Sequence, residues 1–252
     1  FFNVLYSLYF SFNLDINSYI LTLVISLFLG SLFCLIGKNN TKNINFYDQI
    51  IIIFISYIFL PLILSLPYFF SSYNFGLVNS YFESVSGFTT TGFTIIGDVE
   101  IINEPLLLWR SSTQWIGGLI FLLATIGTLG NKRIKIKPVY LISEMDISGN
   151  FFNNFRYNFL RVAMIYGFTT ILIIVIFKIF NVRLFDSFNL AFTTVSSGGF
   201  LSKNSLNNIT SSNLQIFILS ICLLFPILNF YLLFKIITRE FIIKNYLEDL
   251  HL

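Results

Sequence analysis

Long apolar stretches dominate this chain and set what it can become. Near residues 1–12, 18–37, 49–70, 105–130, 158–180 and 212–237 the sequence runs almost without charge, and polar or glycine-bearing segments separate the runs. A helix that crosses a bilayer needs about 20 predominantly apolar residues, so five windows read as full spans and the first as a partial one. Charge is too scarce for any other solution. Only 11% of the residues are charged, against about 25% in a soluble domain. The expected fold is all-α: a multi-pass protein of the cytoplasmic membrane whose first partner is the lipid bilayer.

Lys and Arg mark the side that stays in the cytoplasm. Lys38, Lys42, Lys132, Arg133, Lys135, Lys137, Arg156, Arg161, Lys235, Arg239 and Lys244 fall on one side; Arg110, Lys178, Arg183 and Lys203 fall on the other. Eleven against four places 38–48, 131–157 and the C-terminal stretch inside. The basic residues are scattered through short loops, so nucleic acid is not an expected partner. Cys34 and Cys222 both sit in apolar runs without a CxxC or a nearby histidine, and read as small buried hydrophobes. The chain opens Phe1-Phe2-Asn3-Val4, directly in apolar sequence and without a recognisable signal peptide. The expectation is a fragment whose first helix is truncated.

The two outside loops, 71–104 and 181–211, carry the most specific pattern. At a fixed separation of 107 residues, Asn79-Ser80-Tyr81 falls on Asp186-Ser187-Phe188, and Thr89-Thr90-Thr91-Gly92-Phe93 falls on Ser196-Ser197-Gly198-Gly199-Phe200. The first trio places an Asn or Asp where it would cap a helix N-terminus. About a turn or two of small and apolar residues follow, and hydroxyl residues with glycine mark the helix end. Segments of about ten residues are too short to span. At membrane depth they survive only where protein encloses them or where they line a wet cavity. Each unit therefore reads as span, re-entrant helix, glycine turn, span, and duplication of such a unit is typical of transporters and channels.

A turn of this kind suits an alkali cation, which must exchange its water shell for oxygen ligands that rings of backbone carbonyls can supply. Aligning consecutive carbonyls strains an ordinary backbone, and glycine tolerates the positive φ required. Gly92 and Gly199 are the positions where this matters, with Gly198 the alternative in the second turn. The short helices would also point their negative C-terminal ends at the cation path. Other features stay open. Glu83, inside the first short helix, is either a functional ionisable group or a carboxylate tied to a neighbouring backbone or arginine. Arg110 is its partner or a snorkelling side chain. Asp98, Glu100 and Glu104 form either a cation-concentrating cluster or, by the simpler reading, a solvated loop. Gly117, Gly118, Gly127 and Gly130 read as helix-packing sites. A membrane enzyme is disfavoured, because His251 is the only histidine and Glu83 essentially the only intramembrane carboxylate. A non-conducting scaffold would leave the repeated glycine turns without a purpose.

The stretch Phe82-Glu83-Ser84-Val85-Ser86-Gly87-Phe88-Thr89-Thr90-Thr91-Gly92-Phe93-Thr94, followed by Trp109-Arg110-Ser111 and Gln114-Trp115-Ile116-Gly117-Gly118, resembles the first pore repeat of the Trk/Ktr/HKT potassium transporters, of the bacterial TrkH type. Phe192-Thr193-Thr194-Val195-Ser196-Ser197-Gly198-Gly199-Phe200 resembles the second. The resemblance implies four membrane-pore-membrane repeats, of which this chain holds two. It would have N-terminal helices over 1–48, a first repeat over 49–157, a second over 158–238 and a cytoplasmic linker over 239–252. It further implies a potassium selectivity filter from the carbonyls of Thr89, Thr90, Thr91 and Gly92 and of Ser196, Ser197, Gly198 and Gly199, with Val195 as a further contributor. K⁺ is then the transported ion, held by filter carbonyls alone, and no cofactor is implied. A glycine at position 92 goes with potassium in this family; sodium transport is the alternative. The implied partners are the third and fourth repeats, a cytoplasmic nucleotide-binding regulatory subunit near 131–137, and a second copy of the full-length chain.

Overall fold

The computed structural model describes residues 2–9, 16–38, 46–129, 151–224 and 226. In chain order the helices are α1 (Phe2–Tyr9), α2 (Ile16–Gly37), α3 (Phe46–Leu64), α4 (Leu66–Phe69), α5 (Leu77–Phe88), α6 (Glu104–Leu129), α7 (Phe151–Ile179), α8 (Leu184–Ser196) and α9 (Asn213–Cys222). There is no strand among the described residues. Of the expected inside segments 38–48 and 131–157, residues 39–45 and 131–150 lie outside the described residues, as does the expected linker 239–252.

Among the described residues, four helices are long and apolar enough to cross a membrane: Ile16–Gly37, Tyr47–Phe69, Glu104–Thr125 and Val162–Ile179. They match the windows at 18–37, 49–70, 105–130 and 158–180. The last window is described as helix only to Cys222, and the first is the eight-residue α1. The span of α3 continues through α4 past Pro61, whose ring cannot donate the usual backbone hydrogen bond. At the break between α3 and α4, three residues beyond Pro61, Trp109 Nε1 donates to the Leu64 carbonyl at 3.0 Å.

α6 is the central element. Buried residues make up 56% of its spanning window but only 6% of that of α2, so α6 packs inside the described residues while α2 is little covered by them. It packs against α5 and α3 on one side and against α8 and α7 on the other. Two apolar clusters meet along it. Leu106, Leu107 and Leu108 join Tyr68, Ile96, Val99, Ile102 and Phe185, and Trp115, Leu119 and Leu122 pack on Tyr166, Ile173, Leu190, Ala191 and Val195.

Small residues set the spacing here. An added Cβ on Gly117 would lie 1.9 Å from the Phe88 carbonyl oxygen, and one on Gly118 would lie 2.6 Å from the Tyr166 hydroxyl. Polar groups in this apolar setting are turned inward. Tyr166 donates to the Trp115 carbonyl at 3.0 Å, and Trp115 Nε1 donates to Thr170 Oγ1 at 2.9 Å.

Two expectations need correction. Asn79 and Asp186 do not cap their helices: α5 and α8 begin at Leu77 and Leu184, with Gly76 and Arg183 at the cap positions and no side-chain cap bond. Each helix therefore starts three residues earlier and runs to 12 or 13 residues, still short of a span. Asp186, in the first turn of α8, instead accepts a hydrogen bond from Ser202 Oγ at 2.6 Å. Cys34 is exposed on α2 rather than buried, while Cys222 is buried, and both are free thiols. α2 is apolar all round, so composition alone did not reveal which of its faces meets protein.

Substituting Gly117 by Ala is expected to destabilise the fold by about 1–3 kcal/mol, because the opposing atom is backbone and cannot rotate away. Gly30→Ala, with nothing within 4 Å of its added methyl, is expected to leave stability unchanged or slightly raised. Melting temperatures of the two variants in detergent compare them directly.

Candidate functional site

The two short helices end in turns of the same backbone shape. Thr90 and Ser197 take φ of 54° and 56°, Gly92 and Gly199 both take 81°, and Asn74 and Asn181, ahead of the helices, take 51° and 61°. Each pair is separated by 107 residues. The hydrogen bonds recur as well. Thr91 N–H donates to Ser86 O at 2.9 Å and Gly198 N–H to Thr193 O at 2.8 Å; Thr90 N–H donates to Gly87 O at 3.0 Å and Ser197 N–H to Thr194 O at 3.2 Å. Gly92 therefore corresponds to Gly199, not Gly198, in backbone conformation. A positive φ at Thr90 is the less expected finding, since a β-branched residue is strained there, at a cost of order 1–3 kcal/mol.

The turns touch. A Cβ on Gly92 would lie 2.2 Å from the Gly198 carbonyl oxygen, so only glycine lets the two backbones approach this closely. Among the described residues no hydrogen bond reaches the carbonyls of Thr89, Thr90, Thr91, Gly92, Val195, Ser196, Ser197 or Gly199. Gly198 differs from its neighbours: its carbonyl accepts from Gln114 Nε2 at 2.6 Å. Thr91, Ser197 and Gly199 are exposed, whereas Val195, Ser196 and Gly198 are buried.

Behind the turns lies a buried ion pair. Glu83 on α5 and Arg110 on α6 are each 1% exposed, with Arg110 Nε and Nη2 both 2.9 Å from Glu83 Oε1. Thr94 Oγ1 donates to the carboxylate at 2.9 and 3.1 Å, the Ile95 N–H donates at 3.3 Å, and Arg110 Nη2 donates to Thr94 Oγ1 at 3.1 Å. The guanidinium also reaches the second turn. Nη1 donates to the Leu201 carbonyl at 3.4 Å, and Cζ stands 4.3 Å over the Phe200 ring, within cation–π range. Arg110 is thus a paired cross-link between the two units and does not snorkel.

The acidic loop residues do something neither reading anticipated. Asp98 Oδ1 accepts from Asn204 Nδ2 at 2.8 Å, Glu100 Oε1 accepts from Asn208 Nδ2 at 3.0 Å, and Asn204 Oδ1 accepts from the Val99 N–H at 2.8 Å. Glu104 accepts from Tyr6 at 2.7 Å and pairs with Arg183. These contacts latch loop 71–104 to loop 200–212 and place both on one end of the bundle. The signal was visible only as Asn204 and Asn208, which carry no charge and attract no attention in a sequence. Gln114 was likewise legible only as a letter in the Trp109-to-Gly118 signature.

A multi-pass, all-helical membrane protein with short helices stopping at paired backbone turns is the class that this fold and site define. Comparison with known proteins narrows it. Residues 16–251 match the TrkH family, described as a cation transport protein, and the chain belongs to that family. It is 27% identical over 192 residues to an uncharacterized cation transporter of Methanocaldococcus jannaschii, covering 75% of this chain and 40% of the relative. It is 25% identical to the Trk system potassium uptake protein TrkH of Halomonas elongata, covering 92% and 49%. With TrkG of Escherichia coli it shares 27% identity, covering 81% and 43%. The chain thus spans half or less of the length of these relatives. In fold it is similar to the crystal structure of the potassium transporter TrkH from Vibrio parahaemolyticus, with a TM-score of 0.66, 24% identity, and coverage of 88% of this chain and 44% of that one.

Removing Arg110 alone strands the buried Glu83 carboxylate, so Arg110→Met is expected to cost about 3–5 kcal/mol. Converting both residues, Glu83→Met with Arg110→Met, is expected to cost less than the single change. A double-mutant cycle on melting temperature in detergent reads the difference, and additive losses would exclude the coupling.

Proposed function

We propose that this chain supplies two of the units that line a potassium pathway in an uptake system of the cytoplasmic membrane. The observation that carries the reading is the pair of like-shaped turns, meeting at Gly92 and Gly198, whose carbonyls other than that of Gly198 accept no protein hydrogen bond among the described residues. Thr89, Thr90, Thr91 and Gly92 from the first unit and Val195, Ser196, Ser197 and Gly199 from the second present oxygens that can replace the hydration shell of K⁺. α5 and α8 end at these turns, so the negative ends of their dipoles favour a cation there. Glu83 is neutralised by Arg110 and adds no unpaired charge. Attraction then comes from many weak dipoles, strong enough to admit an ion and weak enough to release it.

No bond is made or broken in this process, which is transport and not enzymatic catalysis, and it calls for no cofactor. A pathway enclosed on all sides needs further units, which we assign to third and fourth repeats acting with 49–157 and 158–238. The Halomonas and Escherichia relatives, potassium uptake proteins of the Trk system, support K⁺ as the ion. A nucleotide-binding regulatory subunit on the cytoplasmic side, docking near the basic segment 131–137, and a homodimer of the full-length chain complete the proposed assembly.

The test is the first glycine. A side chain at position 92 would press on the Gly198 oxygen and shift both turns. In the natural gene product, expressed in a host deficient in potassium uptake, Gly92→Ser is expected to lower the preference for Rb⁺ and K⁺ over Na⁺. Unchanged ion preference at normal membrane abundance would refute the coordination role of the turns.

A further inference from the structure

We infer that Gln114 is the positioning residue of the second turn and thereby sets which alkali cation the pathway prefers; this rests on the reading of the two turns as ion-coordinating. Gln114 lies on α6, is 0% exposed, and uses both ends of its amide on backbone. Nε2 donates to the Gly198 carbonyl at 2.6 Å and Oε1 accepts from the Phe200 N–H at 3.1 Å. One planar group thus grips the carbonyl before Gly199 and the N–H after it, bracketing the residue whose φ is 81°. An added Cβ on Gly198 would lie 2.3 Å from the Gln114 amide carbon, so the turn lies flat against that amide.

Two consequences follow. The Gly198 carbonyl is committed to Gln114 and is structural, which leaves Val195, Ser196, Ser197 and Gly199 as the coordinating set of the second turn. That same oxygen is also where Gly92 abuts, so Gln114 fixes the distance between the turns. The first turn is held differently. Ser86 carries it from within its own unit, its hydroxyl donating to the Phe93 carbonyl and its carbonyl accepting from the Thr91 and Gly92 N–H groups. The corresponding Thr193 carbonyl likewise accepts from the Gly198 N–H, but its hydroxyl donates to Leu190 O at 3.2 Å, so the far end of the second turn is held by Gln114 of the first unit. Discrimination between K⁺ and Na⁺ depends on the number and placement of carbonyls. A second turn released from Gln114 can rotate the Gly198 oxygen towards the ion and close around a smaller one.

Gln114→Met keeps length and volume but removes both hydrogen bonds. In the natural gene product, in a host deficient in potassium uptake, initial rates of Rb⁺ and Na⁺ uptake are measured against concentration. The expected result is about a tenfold fall in Rb⁺ over Na⁺ preference, the size of effect that loss of a buried hydrogen-bond partner produces, carried by a higher KM for Rb⁺ at normal membrane abundance. A purely structural role would lower Vmax for both ions alike and leave their ratio intact, which would overturn the inference. If Gln114→Met fails to insert, Gly198→Ala, whose methyl displaces the amide, is read by the same ratio and the same criterion. Gly92→Ser separates the two claims: a shift there without one at Gln114 overturns only the positioning role, and no shift at either overturns the ion-coordination reading as well.

Discussion

A carboxylate and a guanidinium taken almost wholly out of water bind the two units of this fold to each other. Desolvating either group alone costs several kcal/mol, and only close pairing with further hydrogen bonds offsets that cost. Glu83 and Arg110 meet both conditions, because Thr94 and the Ile95 N–H also bond the carboxylate while Leu201 and Phe200 engage the guanidinium. Every one of those extra partners lies just after one of the two turns. The pair cannot be satisfied unless both turns stand where they do, so its burial converts an electrostatic requirement into a fixed distance between the units.

α6 extends that logic along its length. Trp109 satisfies a carbonyl freed at the end of α3, Arg110 joins the turns, Gln114 grips the second turn, and Trp115 with Tyr166 and Thr170 seats α7. Gly117 lets the Phe88 carbonyl, at the end of α5, sit against the α6 backbone. One helix thus holds both turns from behind, and of their carbonyls only that of Gly198 is tied to it by a hydrogen bond. The strain at Thr90, a β-branched residue at positive φ, is sustained by this surrounding over-determination, as strained backbone at functional sites generally is.

Much of this was legible before the structure. Length of apolar run identifies spans without any knowledge of packing, and the four long helices follow the windows closely. The separation of 107 residues was legible because positive φ favours glycine, so Gly92 and Gly199 mark the turns. The same conformation at Thr90 and Ser197 left no mark, since those residues adopt it only under tertiary constraint. Asn79 and Asp186 misled because capping preference is weaker than the packing that starts the helices at Leu77 and Leu184. Arg110 and Glu83 were legible as one of two readings, Glu83 lying at membrane depth in the first short helix and Arg110 at the outer start of a span. Gln114, Asn204 and Asn208 were not, because a neutral amide that bonds to distant backbone or to another loop has no local sequence signature.

The central claim is that the carbonyls of the two turns hold the transported cation. Diffraction or electron microscopy of the natural gene product with bound Tl⁺ or Rb⁺, located by anomalous scattering or difference density, tests it most directly. The expected result is cation density between the carbonyls of Thr89 to Gly92 and those of Val195, Ser196, Ser197 and Gly199, and none contacting the Gly198 oxygen. Cation density only elsewhere in the protein, under conditions that saturate uptake, would contradict it.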